Sequence, residues 1–175
     1  MGSRVKRGER LTFTCTRCGK CCSSGPNVTL TAMDVCRIAK YFNTSWRELA
    51  GKYLYVIIAD YTPVIVLRGI NDKCVFLKTQ GKITACSIYP ARPMRCRLYP
   101  FIPIAPGKLG ELEVSSRCPG VGVGELSDPP WGDLEEYMRE VREHYTRLYD
   151  LIFNRGYDPL SALEITLSEV CGESA

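Results

Sequence analysis

The hydrophobic pattern places strand-sized apolar runs in the middle of the chain. Three runs rich in β-branched residues are separated by Gly and Asn-Asp turns, at 63–68, 74–78 and 83–89. Gln80 and Gly81 are expected to close a hairpin that brings Cys74 and Cys86 near each other. No apolar run approaches the roughly 18 residues that a membrane-spanning helix needs, so we expect no membrane segment.

Helical patterns flank these strands. Thr31 and Ser45 are N-cap candidates, and each is followed three residues later by an acidic residue, as in a capping box. From about 129 to 155, apolar residues recur every three or four positions, which predicts a long amphipathic helix that stops at Gly156. Asp158 then predicts the start of a last helix.

Strand patterns are weaker near the two ends of the first 124 residues. Leu11 and Phe13 suggest an edge strand, and 109–114 suggests another strand. Residues 120–124 alternate Gly and Val and are interpreted as a linker. We therefore expect residues 1–124 to form a cysteine-cluster metal-binding domain and 125–175 an acidic helical extension packed on it.

Charge is divided unevenly along the chain. Residues 1–124 hold 19 Lys and Arg against 7 Asp and Glu, whereas 125–175 hold 4 against 12. A basic half can indicate nucleic acid, but these cations interleave with cysteines and form no helical stripe. We favour a role in offsetting metal-bound thiolates and do not expect nucleic-acid binding. The acidic helices could dock a protein partner.

The densest chemistry lies in residues 15–22, where Cys15, Cys18, Cys21 and Cys22 fall within eight positions. Core packing does not explain four such thiols, whereas spacing by two residues suits a tetrahedral metal or an iron–sulfur cluster. Gly19 is expected to provide a positive φ or a close backbone approach. Adjacent Cys21 and Cys22 are expected to point in different directions.

Cysteine usage also bears on the compartment. The basic N-terminus lacks the apolar segment of a signal peptide, so a cytoplasmic location is expected, where cysteines are usually reduced, metal-bound or catalytic. A mainly disulfide-bonded scaffold is the lesser alternative. The single glutamine, Gln80, hints weakly at a thermophile, in which cytosolic disulfides persist.

Four further cysteines stand in predicted turns or strand ends. With the first four they complete a predicted set of eight metal ligands, namely Cys15, Cys18, Cys21, Cys22, Cys74, Cys86, Cys96 and Cys118. Cys36 and Cys171 fall on predicted helices and are interpreted as packed thiols that do not ligate. The metal-stabilised fold expected is therefore α+β: a small cysteine-rich sheet module with short helices and a C-terminal helical pair.

Two metal centres are compatible with these cysteines, an iron–sulfur cluster and zinc. Three cysteines spaced by two residues, with a distant Cys118-Pro119, follow the spacing of a bacterial ferredoxin, so a [4Fe–4S] cluster is favoured. Zinc accepts the same thiolates and is the alternative. Arg92 and Arg97 are the candidate cofactor-binding residues, because guanidinium groups can donate to sulfur or to an anionic ligand; Arg95 is a weaker candidate.

The segment from Cys86 to Pro100 reads C-x-I-Y-x-x-R-P-x-x-C-R-x-Y-P. Together with the CxxCxxCC loop and a closing Cys118, it resembles the YkgJ-type cysteine-cluster family, described as zinc- or iron-chelating. The resemblance covers residues 15–118. Distant relatives, the flagellin lysine N-methylases, imply methyl transfer at an iron–sulfur-bearing domain.

Other catalytic groups are scarce. The single histidine, His144, lies among charges on a predicted helix and is interpreted as solvated, which excludes a zincin motif and disfavours His-activated nucleophiles. We predict a cysteine-ligated metal-binding protein, with methyl or electron transfer as the enzymatic alternatives. The competing hypothesis is a structural zinc module that acts in metal handling or protein interaction without catalysis. Whether the protein is an enzyme stays open.

Overall fold

The computed structural model describes residues 2–23, 28–81, 83–105 and 107–173. The strands are β1 (Ser3–Lys6), β2 (Leu11–Phe13), β3 (Thr29–Leu30), β4 (Leu54–Ala59), β5 (Thr62–Leu67), β6 (Gly69–Ile70), β7 (Lys73–Cys74), β8 (Leu77–Gln80), β9 (Ile83–Cys86), β10 (Phe101–Pro103), β11 (Glu111–Val114) and β12 (Val121–Ser127). The helices are α1 (Ala32–Phe42), α2 (Trp46–Leu49), α3 (Met94–Leu98), α4 (Trp131–Tyr149) and α5 (Pro159–Cys171). A π-helical segment, Asp150–Asn154, continues α4, and 3₁₀ turns cover Lys20–Cys22 and Tyr89–Ala91. This mixture confirms the α+β prediction.

The strands form several small antiparallel sheets. Two have three strands, in the orders β1-β11-β10 and β3-β5-β4, and the pairs β2–β12, β6–β7 and β8–β9 complete the set in the described residues. The predicted hairpin is confirmed, because β8 and β9 pair from Gln80 opposite Ile83 to Leu77 opposite Cys86. Within the described residues, no helix is both long and apolar enough to cross a bilayer.

The helix starts follow the capping signals. Thr31 accepts a hydrogen bond from the backbone N–H of Asp34, and the Asp34 carboxylate accepts from that of Thr31, so the predicted capping box is present. Asp158 caps α5 by accepting from two backbone N–H groups. Ser45 caps α2, which ends at Leu49.

Two apolar clusters form the core. The larger lies between α1, the three-stranded sheet of β3, β5 and β4, and the helices α4 and α5, with Ile38, Ile65 and Leu163 among its buried members. The smaller joins the sheet of β1, β11 and β10 to the start of α4 through Leu112 and Leu134. The C-terminal helices therefore contribute to both clusters.

The predicted linker at 120–124 is wrong. Val121–Ser127 forms β12, which pairs with β2 across a bulge. A Cβ at Gly120 would meet the carbonyl oxygen of Thr14, and one at Gly124 would meet its hydroxyl, so these glycines serve close backbone packing. The domain boundary at residue 124 remains a prediction.

The excess positive charge of residues 1–124 is partly neutralised by ion pairs with the acidic residues of 125–175. Cations of the first half pair with carboxylates of the second: Arg7 with Glu135 at 2.5 Å, Arg10 with Asp128 at 3.9 Å, Arg37 with Glu140 at 2.5 Å and Arg47 with Glu173 at 3.3 Å. The acidic helices are thus held to the basic half by ion pairs as well as by apolar packing.

The interpretation of Cys36 and Cys171 as packed free thiols is wrong. A disulfide joins them, with Cα atoms 5.2 Å apart and a sequence separation of 135. The bond forms where α1 packs against the last turn of α5. In the sequence, each cysteine has the pattern of a residue buried on one helix. Their proximity depends on how α1 and α5 pack together, which no local pattern shows.

The interpretation of His144 as solvated is also wrong. The side chain is only 1% exposed, and its Nδ1 accepts a hydrogen bond from the backbone N–H of Ala32 at 3.3 Å. Burial lowers the pKa of His144 to about 4, so the imidazole is neutral at pH 7. Nearby, Glu140 accepts from Arg37 and from the Thr31 hydroxyl, which makes the junction of α1 and α4 a buried polar network.

Candidate metal centre

A cavity of about 730 Å³ opens between the cysteine loop, the β8–β9 hairpin and the segment around α3. Its lining contains six of the eight predicted ligands, namely Cys15, Cys21, Cys22, Cys74, Cys86 and Cys96. The other two, Cys18 and Cys118, do not line it. The structure therefore brings most of the predicted set to one place, from four separate regions of the sequence.

The first group of thiols is set by a tight backbone loop. Gly19 has φ of 70°, and a Cβ built on it would lie 2.9 Å from the Thr84 hydroxyl oxygen, which confirms the predicted need for glycine. Thr84, on β9, donates to the carbonyl oxygen of Arg17 at 2.7 Å and so fixes the loop to the hairpin. The Lys20–Cys22 3₁₀ turn follows directly.

This turn corrects the expected divergence of two neighbouring cysteines. The Sγ atoms of Cys21 and Cys22 are 3.6 Å apart, and both residues line the cavity. The pair therefore contributes to one site rather than facing two.

The second group of thiols comes from three short elements. Cys74 ends β7, Cys86 ends β9, and Cys96 lies in the middle of α3. The N-terminus of α3 has no capping side chain of its own, but Asp34 of α1 accepts a hydrogen bond from the Met94 backbone N–H at 2.9 Å. A buried carboxylate of another helix thus anchors the segment that carries Cys96.

The thiols do not share one electrostatic state. The pKa of Cys21 is lowered to about 6, chiefly because Cys22 donates a hydrogen bond to its sulfur, with a further contribution from Arg92. The same hydrogen bond, together with burial, raises the pKa of Cys22. Burial likewise raises the pKa of Cys74, Cys86 and Cys96. Hydrogen bonding between the two adjacent thiols therefore shifts the pKa of Cys21 and that of Cys22 in opposite directions.

Arginines surround these thiols without carboxylate partners within 4 Å in the described part of the chain. Arg92 donates to the carbonyl oxygen of Tyr89 at 3.1 Å, and its guanidinium lies 3.6 Å from the centre of the Tyr89 ring. Arg17 lies over the same ring at 5.3 Å. Arg17, Arg95 and Arg117 line the cavity as well. Arg17 and Arg117 lie outside the Cys86–Pro100 motif and are not among the predicted cofactor-binding residues.

Arg97 is placed differently from its prediction. Its Nε donates to the carbonyl oxygen of Arg92 at 3.1 Å, and its Nη2 donates to that of Pro90 at 2.9 Å. The side chain does not line the cavity. Arg97 thus ties the turn before α3 together, while Arg92 faces the thiols.

The donor chemistry of the cavity fits a soft or borderline metal. Its lining has six cysteines, a single carboxylate (Glu113) and no histidine. In the described conformation, no three His, Cys, Asp or Glu side chains of the described residues are close enough to hold one ion. The thiols surround a common space, and ligation would require side-chain movement toward it.

Comparison with known proteins agrees with this donor set. A family described as "CxxCxxCC: Putative zinc- or iron-chelating domain" matches residues 14–119. The chain belongs to this family. Its matched region begins one residue before Cys15 and ends one residue after Cys118, so it encloses all eight predicted ligands and leaves α4 and α5 outside. Family membership supports metal binding.

A curated relative extends the comparison. The protein named "Uncharacterized protein MJ0661" from Methanocaldococcus jannaschii is 32% identical over 119 residues, which is 66% of this chain. The match spans 61% of that relative's length. No solved structure matches the chain.

Proposed function

We propose that this protein binds an iron–sulfur cluster, of the [4Fe–4S] type, through the cysteines around the cavity. The observation that carries the proposal is the convergence of six cysteines from four sequence regions on one space without histidine. Thiolates alone suit iron–sulfur clusters and zinc, and they exclude the hard oxygen-seeking cations.

The spacing of the cysteines favours the cluster over zinc. The spacing of Cys15, Cys18 and Cys21, with Cys118-Pro119 at a distance, is that of ferredoxin ligands. Cys18 and Cys118 remain in the proposed ligand set, which would require the exposed loop to move inward.

The proposed roles of the surrounding residues follow from their positions. When bound, the cluster would supply electron transfer or support methyl transfer. Arg92 would donate to a sulfur or to an anionic ligand, and its stacking on Tyr89 holds it in place for either. Arg97 would act indirectly, by fixing the turn that carries Arg92.

The competing proposal is a zinc-binding module that handles metal or binds a protein through its acidic helices. Its support is the absence of a general base at the cavity: among the described residues, the lining holds Glu113 as its only carboxylate and no imidazole. Under this proposal the bound metal is structural and there is no turnover.

Anaerobic purification with an absorption spectrum and elemental analysis decides between the two. The cluster predicts a brown protein with iron and acid-labile sulfide near four per chain. A colourless protein with stoichiometric zinc would reverse the choice, and a protein with neither metal would overturn both proposals.

Cysteine variants test the ligand set. Cys74→Ser and Cys96→Ser should each lose most of the bound metal, whereas the control Val123→Ser, at a 45% exposed position that does not line the cavity, should keep it. Full retention in the first two would refute the assignment. Calorimetric titration of the reconstituted protein with S-adenosylmethionine tests methyl transfer. If no heat of binding is measured and the metal centre resists reduction, the non-catalytic binding module is the better proposal.

A further inference from the structure

The cavity carries more positive charge than the proposed metal centre would neutralise. Among the described residues, its lining holds one carboxylate, that of Glu113, and four arginines, namely Arg17, Arg92, Arg95 and Arg117. Four positive charges and one negative charge leave +3. A centre of four thiolates around a doubly charged metal core carries a net charge of about −2. The cavity would therefore keep a positive charge with the centre in place.

Three of these arginines lie at the opening of the cavity. Arg17, Arg95 and Arg117 line the cavity and are also exposed to solvent. Arg92 is instead half-buried and stacks on the Tyr89 ring. Among the described residues, no carboxylate oxygen lies within 4 Å of the three exposed guanidinium groups, and the rest of the sequence contains no Asp or Glu. Side-chain ion pairs therefore leave these three charges available to a ligand.

Two of the exposed arginines lie near hydroxyl groups on one wall of the cavity. Arg95 and Tyr99 are four positions apart at the end of α3, which places them on the same side of the helix. The Tyr99 hydroxyl is 3.4 Å from the Ser115 hydroxyl, and Arg117 follows two residues later. In the described chain, the Arg95 side chain donates only to the Thr29 hydroxyl, at 3.2 Å, which leaves most of its N–H donors for a ligand.

Arg17 reaches the cavity from an unusual backbone position. Its φ is 50°, in the left-handed region that residues other than glycine rarely occupy. The Thr84 hydroxyl holds this conformation by donating to the Arg17 carbonyl oxygen at 2.7 Å. Strained residues that surrounding contacts hold in place are frequent at ligand sites. The loop thus keeps a third guanidinium at the cavity although glycine would adopt the same φ at lower cost.

We infer that the opening of the cavity binds the anionic group of a small organic ligand, either a carboxylate or a phosphate. A guanidinium matches both groups, because it can donate two parallel hydrogen bonds to their oxygens. Phe76 and Ile88 line the cavity and are buried, so they are placed to contact an apolar part of the same ligand. The inference rests on the proposed function for the position of the ligand beside a metal, whereas the arginines themselves need no metal to bind an anion.

The competing role for these arginines is to offset the charge of metal-bound thiolates. The two roles predict different results for the same variants. If the exposed arginines serve the metal alone, removing one lowers the metal content and the cavity binds no anion. If they serve a ligand, removing one weakens anion binding and leaves the metal content unchanged.

Calorimetric titration of the full chain, after its metal content has been measured, tests the inference with four probes that share an apolar ring. Benzoate and phenyl phosphate carry the two anionic groups, benzyl alcohol is neutral and benzylamine is a cation. At least one anion should bind at least tenfold more tightly than benzyl alcohol and benzylamine, and its affinity should fall as the salt concentration rises. The tighter of the two anions distinguishes a carboxylate ligand from a phosphate ligand.

Arginine variants locate the binding site. Arg95→Met and Arg117→Met should each weaken binding of the anion about tenfold, because each removes a charged donor. Arg95→Lys keeps the charge without the planar fork and should weaken it by less. The matched control is Arg142→Met, which removes an exposed arginine of α4 that does not line the cavity and should leave the affinity unchanged.

Three results would overturn the inference. The first is a parent protein that binds neither anion, or binds benzylamine as tightly as the anions. The second is unchanged anion affinity in both Arg95→Met and Arg117→Met. The third is a weakening by Arg142→Met as large as theirs. A parent protein that holds neither iron nor zinc would refute the proposed function alone, because anion binding is then measured on the metal-free protein.

Discussion

Removal of the disulfide between Cys36 and Cys171 gives the sharpest test of how the C-terminal helices are held. The bond joins α1, which follows the cysteine loop, to the last turn of α5. The perturbation is the double substitution Cys36→Ala/Cys171→Ala. It removes the covalent link and leaves the Arg37–Glu140 and Arg47–Glu173 ion pairs in place.

The magnitude follows from the length of chain that the bond closes. For a separation of 135 residues, the chain-entropy model gives a stabilisation of about 5 kcal/mol at 25 °C, and measured values for native disulfides run at about 2–5 kcal/mol. This is a large fraction of a total stability of about 5–15 kcal/mol. With a urea m-value of about 2 kcal/mol per molar, a loss of 4 kcal/mol lowers the midpoint by about 2 M.

The assay is urea unfolding of the metal-loaded protein, followed by circular dichroism. The single variants Cys36→Ala and Cys171→Ala should lose about as much as the double variant, because either substitution removes the whole bond. Mass spectrometry after alkylation without reductant checks the bond directly. Alkylation of both cysteines, or a double variant within about 1 kcal/mol of the parent, would refute the reasoning.

Three further predictions concern the site and its support. Gly19→Ala places a Cβ 2.9 Å from the Thr84 hydroxyl at a φ of 70°, so it should destabilise the protein by more than about 1 kcal/mol and lower its metal content. The control is Gly51→Ala, which also has a positive φ but lies in open space. Equal metal loss in both variants would contradict the argument. Asp34→Ala leaves the Met94 N–H without its acceptor and should lower the free energy of unfolding in urea by about 3 kcal/mol. Asp34→Asn should lower it by less. Equal stability of the parent and both variants would contradict this prediction. His144, whose pKa is lowered to about 4 in the folded protein and is about 6.5 in the unfolded chain, contributes stability that is complete above pH 6.5 and lost as the pH falls toward 4. This loss should lower the free energy of unfolding of the parent by about 3 kcal/mol and should be absent from His144→Gln. Parallel plots of unfolding free energy against pH for the two proteins would contradict the prediction.

Local signals predicted the elements that local chemistry determines. The Thr31 capping box, the Asp158 cap and the Gln80-Gly81 hairpin depend on residues within four positions of one another, and each forms as predicted. The left-handed φ of Gly19 belongs with them, because it is set within one turn, although the contact of that turn with Thr84 is not local. Such features are visible in sequence since no distant partner is needed to form them.

The errors arose where a distant partner decides the outcome. Gly120 and Gly124 looked flexible, but their missing side chains let β12 pass close to Thr14 of β2. His144 looked solvated among helix charges, but α1 covers that face and provides the Ala32 N–H. The eight cysteines were predicted as ligands from their positions in loops and strand ends, but no local pattern shows which of them share one cavity; six do, and Cys18 and Cys118 do not.

The helix α1 links the family's cysteine domain to the helices beyond it. On one side, Asp34 of α1 anchors the start of α3, which carries Cys96. On the other side, Arg37 pairs with Glu140 of α4, the Ala32 N–H donates to His144, and Cys36 is bonded to Cys171 of α5. The helices α4 and α5 lie beyond the matched residues 14–119, and they support the segment that carries Cys96 through α1 and also directly, since Leu134 of α4 and Leu98 of α3 belong to one buried cluster. A change that loosens this support should therefore reach the site first at Cys96.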